Sequence, residues 1–233
     1  MRVLFAVFLL GAINLAHADV FVPGSRRPTH LRQERVRAQG ERAPETFQVA
    51  VGLQQRGLHD DAARHFRDFL EQNPNHGLVA EARYRLGVCL VETGDGKAAI
   101  GALRGALTAG GSSFALRPEC RYRLGNLLQA QQQHGKAREQ FSALLGEVAD
   151  EHYLRAPAAF AVGECQRELG DDAAAAAAFA DAARAAVGDQ AAFRFPSLYQ
   201  LGFCLLRRLA LAEAVDVFGH AEQAAGDDAA RGE

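Results

Sequence analysis

Residues 83–87 read Arg-Tyr-Arg-Leu-Gly, and residues 121–125 repeat the same five letters 38 positions later. Three further copies keep the small residue at the centre, at intervals of 37, 38, 38 and 39 residues along the series Ala50, Gly87, Gly125, Gly163 and Gly202. Alanine recurs twelve residues after every centre, and phenylalanine or leucine recurs sixteen residues after it. A period of this length, with small and large apolar residues in fixed phase, is typical of stacked helical hairpins.

The spacing predicts two helices in each repeat, and a glycine lies at or near the turn inside four of the hairpins. First helices are predicted at 45–56, 78–93, 116–132, 154–169 and 194–208. Second helices are predicted at 59–72, 95–108, 134–147, 171–187 and 210–224. Alternating runs of β-branched residues are missing, so no sheet is expected. The predicted fold is all-α, a solenoid of about five helix-turn-helix repeats over residues 45–226, followed by a disordered tail at 227–233.

The first eighteen residues read as a secretory signal peptide. A positively charged start precedes the apolar stretch 3–13 and the small-x-small site Ala-His-Ala at 16–18. We expect cleavage after Ala18, and the alternative is an uncleaved anchor. A lipid anchor is not expected, because Asp19 follows the cleavage point and the first cysteine is Cys89. The sequence thus predicts a periplasmic or secreted protein.

Residues 19–44 are predicted to form a linker, since they contain proline, glycine and six arginines. Two interpretations remain open for the basic bias: a solvated linker, or a segment that contacts an anionic surface or peptidoglycan. Glu34 and Glu41 dilute the positive charge and favour the solvated linker. The net charge of the whole chain is -2, so we expect no general attraction to nucleic acid.

The four cysteines are expected to be free and buried. Cys89, Cys165 and Cys204 each lie two residues after a centre, at equivalent places on stacked helices. Stacked helices lie about 8–10 Å apart, which exceeds the Cα separation of about 7 Å that a disulfide tolerates. The alternative is a set of disulfides, which an even number of cysteines in a secreted chain normally suggests.

Two copies of the repeat pattern are the clearest. One begins at residue 83 and includes Ala99 and Leu103, and the other begins at residue 121 and includes Ala137 and Phe141. Pro74 lies at the end of the earlier copy that is centred on Ala50. This pattern resembles the tetratricopeptide repeat over about residues 45–226. The resemblance implies a right-handed superhelix whose first helices line a concave groove that binds proteins or peptides.

Among tetratricopeptide proteins, residues 66–74 and 82–87 are most similar to the periplasmic Tol–Pal-associated cell-division coordinator. They are also similar to the lipoprotein of outer-membrane β-barrel assembly. The chain departs from both groups, because it has no lipid-acceptor cysteine and no N-terminal heptad segment. The resemblance implies a role in the bacterial cell envelope.

An aromatic residue lies three positions before every centre, and a more varied residue lies one position after it. We interpret both series as a partner-binding groove: Phe47, Val51, Tyr84, Val88, Tyr122, Asn126, Phe160, Glu164, Tyr199 and Phe203. Such a groove is apolar at its two ends and polar in the middle, which suits an extended segment or a helix. The alternative is that the aromatic residues pack inside the hairpins.

Four arginines flank two of these tyrosines and admit two interpretations. These are Arg83, Arg85, Arg121 and Arg123. They could receive an acidic peptide or a C-terminal carboxylate. Alternatively, they form a solvated helix face and pair with nearby Glu81 and Glu119. The eight histidines are scattered, and no metal, haem, phosphate or nucleophile motif is present. We therefore expect no enzyme activity, no metal and no cofactor.

The function expected from the sequence is a non-catalytic scaffold or adaptor of the cell envelope. One alternative is a structural subunit that self-assembles through the last hairpin, since Val215 and Phe218 are expected to be partly uncovered. The same hairpin could instead receive a partner protein, or the chain could be truncated from a longer product. A second alternative function is a glycan or small-molecule binder that uses the tyrosine groove.

Overall fold

The computed structural model describes residues 43–231 of the chain, with side chains up to Gly226. The predicted signal peptide and nearly all of the predicted linker lie outside the described residues. Within residues 43–231 the chain forms ten α-helices and two short 3-10 helices, and it forms no strand. In this part of the chain no helix is long and apolar enough to cross a membrane.

The ten helices form five consecutive antiparallel hairpins, and each hairpin packs on the next. The first helices are α1 Glu45–Gln55, α3 Val79–Glu92, α5 Arg117–Ala130, α7 Arg155–Glu168 and α9 Arg194–Arg207. The second helices are α2 His59–Gln72, α4 Gly96–Gly110, α6 His134–Glu147, α8 Asp172–Ala185 and α10 Leu211–Arg231. The all-α solenoid predicted from the sequence is confirmed, and nine helices agree with their predicted bounds to within two residues.

The last helix is longer than predicted. Its predicted end is near residue 224, but α10 continues to Arg231 and covers most of the predicted tail. The physical reason is composition, because residues 224–231 are rich in alanine and contain no proline. A single glycine inside a helix costs only about 1 kcal/mol, so Gly226 does not end it.

The turns inside the hairpins require a left-handed backbone conformation. Three of them use glycine, at Gly57, Gly94 and Gly170, with φ between 77° and 82°. Gln132 and Leu209 occupy the same place in the third and fifth hairpins, with φ of 58° and 60°. A side chain in this conformation costs roughly 1–2 kcal/mol, so these two turns are strained relative to the others.

The small residue at each centre allows close packing within its own hairpin. A Cβ on Gly125 would lie 2.5 Å from the ring of Phe141, and a Cβ on Gly163 would lie 2.7 Å from Phe179. The residue sixteen positions after the centre therefore packs on the centre of the same hairpin. This contact fixes how closely each first helix approaches its second helix.

All four cysteines are free and buried, as predicted. The Cys120 thiol donates a hydrogen bond to the Leu103 carbonyl oxygen of the preceding hairpin, with Sγ 3.3 Å from the oxygen. Burial raises the pKa of Cys89 and Cys165 to about 11 and the pKa of Cys120 to about 12. These thiols therefore pack as small apolar residues and stay protonated at neutral pH.

Candidate functional site: the first-helix row

The ten residues predicted as a groove lie on the first helices of all five hairpins, and we call them the first-helix row. Of the five aromatic residues, Phe47 is buried and the other four are half-buried. In four hairpins the ring packs edge-on against the phenylalanine sixteen positions after the centre, with ring centroids 5.3–5.8 Å apart. Tyr84 instead packs on Phe114 at 6.4 Å, because Leu103 occupies that position in its hairpin. The aromatic side chains thus join the hairpin core and leave only part of each ring at the surface.

The five residues that follow the centres present varied chemistry along the row. Val51 and Val88 are apolar, whereas Asn126 and Glu164 are polar, and all four are half-buried. Phe203 closes the row and is 40% exposed. The row is therefore apolar at both ends and polar in the middle.

Hydrogen bonds join neighbouring first helices along this face. Arg85 donates to Gln54 Oε1 at 3.1 Å, which links α3 to α1. Arg123 donates to the Tyr84 hydroxyl at 3.3 Å, which links α5 to α3. Gln129 donates to Glu164 Oε2 at 3.1 Å, which links α7 to α5. These bonds hold four of the five first helices at fixed spacing, so the row is preorganised.

A tyrosine next to the row was missed by the sequence interpretation, and it is a hydrogen-bond partner of Glu119. Tyr153, in the segment before α7, donates its hydroxyl proton to Glu119 Oε1 at 2.6 Å. The other oxygen of Glu119 is buried and accepts no hydrogen bond. Tyr153 lies between hairpins and outside the repeat register, so periodicity gave no signal for it; it is, however, the one tyrosine that the aromatic series leaves out.

Burial shifts the pKa of three polar groups of the row. It raises the pKa of the Glu164 carboxyl group above its ordinary value, although the hydrogen bond from Gln129 opposes this effect. Burial also raises the pKa of the Tyr84 and Tyr122 hydroxyls. The hydrogen-bonding groups of the row are therefore partly shielded from water, which suits contacts to a peptide backbone.

Three of the four flanking arginines have protein partners in the structure. Arg85 pairs with Glu81 at 2.8 Å, and Arg121 pairs with Glu147 at 2.9 Å. Arg123 bonds to Tyr84 as described, and Arg83 lies across Gly105. The interpretation as a paired helix face is favoured over a site for an acidic peptide, and the predicted partnership of Glu81 is confirmed.

Aspartate side chains cap two of the second helices. The Asp95 and Asp171 side chains cap α4 and α8 by accepting the backbone N–H groups of Ala98 and Ala174. Within residues 43–231, no three His, Cys, Asp or Glu side chains form a group that could hold a metal ion.

The fold and the row together define a class of protein, an all-α helical-hairpin solenoid with a continuous face along its first helices. The tetratricopeptide repeat family matches residues 50–114 and 122–191, which make up more than half of the chain. The chain belongs to the tetratricopeptide repeat family, as its sequence pattern predicted. The family is one of interaction scaffolds, and no enzyme family is indicated.

Solved structures with the same fold are distant in sequence. MamA is 18% identical, with a TM-score of 0.64, and the match covers 78% of this chain and 96% of MamA. MamA from Desulfovibrio magneticus RS-1 is 17% identical, with a TM-score of 0.62 and coverage of 80% and 98%. YrrB, described as a tetratricopeptide repeat protein with an unusual peptide-binding site, is 19% identical, with a TM-score of 0.64 and coverage of 84% and 92%. No curated protein sequence matches the chain.

Proposed function

We propose that the chain is a non-catalytic scaffold that binds a segment of another protein along the first-helix row. One observation carries this proposal: a preorganised face runs across all five hairpins and changes from apolar to polar and back to apolar. An extended segment or a short helix with apolar residues at both ends and polar groups between them matches this order. Exposed Phe203 is the anchor at one end, since aromatic side chains contribute most to binding at such faces.

The polar middle of the row provides the specificity of this binding. Asn126 offers an amide donor and an acceptor, and Glu164, which Gln129 holds in place, offers carboxylate oxygens; such groups can pair with the backbone of an extended peptide. Because Asn126 and Glu164 are half-buried, an incorrect peptide that leaves a hydrogen-bonding group there unpaired would cost about 1–3 kcal/mol. YrrB, a structural neighbour described as having a peptide-binding site, supports a peptide as the ligand class.

The cell envelope is the proposed place of this function. The apolar segment 3–13 and the Ala-His-Ala site support export, and the resemblance to the Tol–Pal-associated coordinator and the β-barrel assembly lipoprotein supports an envelope pathway. Mass spectrometry of the protein exported by a bacterial host tests export. We expect a mature chain that begins at Asp19, and a protein that keeps Met1 in the cytoplasm would contradict this location.

Selection from a displayed library of random twelve-residue peptides, with the full chain as bait, tests the binding proposal. Selected peptides are then titrated against purified protein by fluorescence anisotropy. We expect Phe203→Ala and Asn126→Ala to weaken binding at least tenfold, because each removes a contact that lies in the row.

Leu169→Ala is the matched control for Phe203→Ala. Leu169 is an exposed apolar residue, 48% exposed, in the turn between α7 and α8 and outside the row. All three variants should keep the circular dichroism spectrum of the wild type. Peptides that bind both row variants as tightly as the wild type, or a library that yields no binder, would overturn the proposal.

Self-assembly remains a second candidate role, and a specific observation favours it. The outer face of α10 carries the exposed apolar side chains of Leu211 and Val215, and neither residue belongs to the first-helix row.

A further inference from the structure

The last hairpin exposes apolar side chains that are buried in the hairpins before it. Val215 on α10 is 69% exposed, whereas the equivalent Ala63, Ile100 and Ala176 are 3%, 7% and 5% exposed; the third hairpin has half-buried Arg138 at this position. Phe218 is half-buried, while the equivalent side chains of the first four hairpins are fully buried: Phe66, Leu103, Phe141 and Phe179. Leu209 and Leu211 add 81% and 59% exposed side chains at the start of α10. We call the surface formed by Leu209, Leu211, Val215 and Phe218 the α10 face.

In the first four hairpins, the part of this surface around the positions equivalent to Val215 and Phe218 is covered by the first helix of the next hairpin. That covering helix runs antiparallel to the second helix below it and contributes small apolar residues. The α10 face is therefore shaped to pack against an antiparallel helix, and within the described residues no helix occupies it.

The N-terminal end of another copy is a poor match for this surface. Five residues before the centre, the first helices of hairpins two to five bury a small side chain against the preceding hairpin: Ala82, Cys120, Ala158 and Ser197. The first hairpin has Glu45 at this place, and Glu45 is exposed. Stacking α1 of one copy on α10 of another would bury that carboxylate without a partner, which costs several kcal/mol. Head-to-tail stacking is thus disfavoured.

The geometry points to a second copy of this chain as the occupant, with α10 packed antiparallel on α10 of that copy around a two-fold axis near Val215. Positions 211, 215, 218 and 222 of α10 follow the alternating four-and-three spacing of a two-helix seam. In an antiparallel pair centred on residue 215, position 211 of one copy faces the region of Phe218 in the other. The turn before α10 then lies near position 222 of the other copy.

Charge complementarity supports this arrangement. Arg208, in the turn before α10, and Glu222, near the other end of the seam, are both exposed. The two-fold pairing brings opposite charges together twice, once at each end of the seam. A two-fold interface also closes on itself, so assembly stops at two copies instead of growing into a filament.

The available area indicates a weak dimer. From Leu211 to Gly226, α10 is about 24 Å long and about 10 Å wide, and the adjoining edge of α9 roughly doubles this footprint to about 500 Å² per copy. The total of about 1,000 Å² is at the lower end of specific protein interfaces. The dimer is therefore expected to dissociate on dilution.

Sedimentation-velocity ultracentrifugation of the full chain over a hundredfold range of concentration tests the inference. We expect a monomer–dimer equilibrium with no larger species. Val215→Asp should raise the dimer dissociation constant at least tenfold, because it places two carboxylates at the axis. The control Leu169→Asp alters an equally accessible apolar residue outside the α10 face and should leave the equilibrium unchanged.

Cysteine cross-linking tests the two-fold axis. A cysteine near the axis meets its own copy, so Val215→Cys alone should form a disulfide-linked dimer under mild oxidation, and the four buried native thiols should not. Val49→Cys, at an exposed apolar site on α1, should not cross-link, either alone or when mixed with Val215→Cys. A chain that stays monomeric, a series of growing oligomers, or a Val49→Cys to Val215→Cys cross-link would each overturn the inference. Phe218 of the α10 face contacts the row residues Tyr199 and Phe203. Val215 is not a row residue, so the ultracentrifugation and cross-linking tests at Val215 decide this inference independently of peptide binding.

Discussion

At the scale of single residues, the glycines of this chain differ in what surrounds them. Gly125 lies against the Phe141 ring, and an added Cβ would approach that ring to 2.5 Å. Gly146, on α6, has nothing within 4 Å of an added Cβ. Both residues lie in helices, but a side chain would fit only at Gly146. This difference explains why only Gly125 belongs to the repeat pattern.

Alanine should therefore have opposite effects at these two glycines. Gly125→Ala is expected to lower the free energy of unfolding by about 1–3 kcal/mol, because the Phe141 ring must move. Gly146→Ala should raise it by up to about 1 kcal/mol through helix propensity alone. Urea unfolding followed by circular dichroism measures both, and equal effects of one sign would contradict the packing explanation.

The buried thiols make stability depend on pH in the alkaline range. An unfolded cysteine ionises near pH 8.5, whereas burial raises the folded pKa of Cys120 to about 12. The folded state therefore holds the proton more tightly. The contribution of this thiol is fully present below about pH 8.5 and is lost as the pH rises towards the folded pKa.

Comparing the wild type with Cys120→Ser isolates this effect. Serine stands at the equivalent position in the last hairpin, at Ser197, and its hydroxyl does not ionise in this range. Between pH 8.5 and 10.5 we expect the wild type to lose about 1–3 kcal/mol more stability than the variant. Parallel urea unfolding series measure the difference. If the two proteins lose stability in parallel, ionisation of Cys120 has no role.

At the scale of helices, the N-terminus of α7 is capped by a residue more than thirty positions further along the chain. The N-cap residue of α7 is Leu154, which offers no side-chain acceptor. Gln190, in the 3-10 helix Gly188–Phe193, accepts the Ala156 N–H at 2.9 Å and donates to the His152 carbonyl oxygen at 3.2 Å. This buried glutamine therefore caps α7 and joins the fourth and fifth hairpins.

Removing this glutamine should leave two backbone groups without a partner. Gln190→Ala is expected to lower the free energy of unfolding by about 1–3 kcal/mol. Gln72→Ala, at an exposed glutamine at the end of α2, is the control and should change it by less than about 0.5 kcal/mol. Differential scanning calorimetry compares the two variants, and equal melting temperatures would rule out the proposed cap.

Nine of the ten helices could be predicted from the sequence to within two residues because glycine, aspartate and the small centres leave a periodic signal. The contacts of Gln190 and Tyr153 could not be predicted, since both residues lie between hairpins and their partners are more than thirty residues away. The repeat register placed the ten residues of the first-helix row on equivalent first helices, and their role in binding stays a prediction. The packing of the aromatic side chains needed the structure, because spacing alone allows both packing and exposure.

At the scale of the whole molecule, each hairpin of a solenoid is stabilised by its neighbours, so stability varies along the chain. The third hairpin is covered on both sides, and Phe141 is fully buried. The last hairpin is covered on one side, and Phe218 is half-buried. Local opening should therefore begin at α9 and α10.

Native-state hydrogen exchange measures this gradient directly, and the Val215→Asp background keeps the chain monomeric. We expect amides of α9 and α10 to exchange through a lower opening free energy than amides of α5 and α6. Phe141→Ala should lower the global free energy of unfolding by about 3–5 kcal/mol. Phe218→Ala should cost less than half of that and should mainly accelerate exchange in the last hairpin, because Phe218 is only partly buried before the substitution. Uniform protection across the five hairpins would mean that the solenoid unfolds as one cooperative unit, and the α10 face would then be stable without a partner.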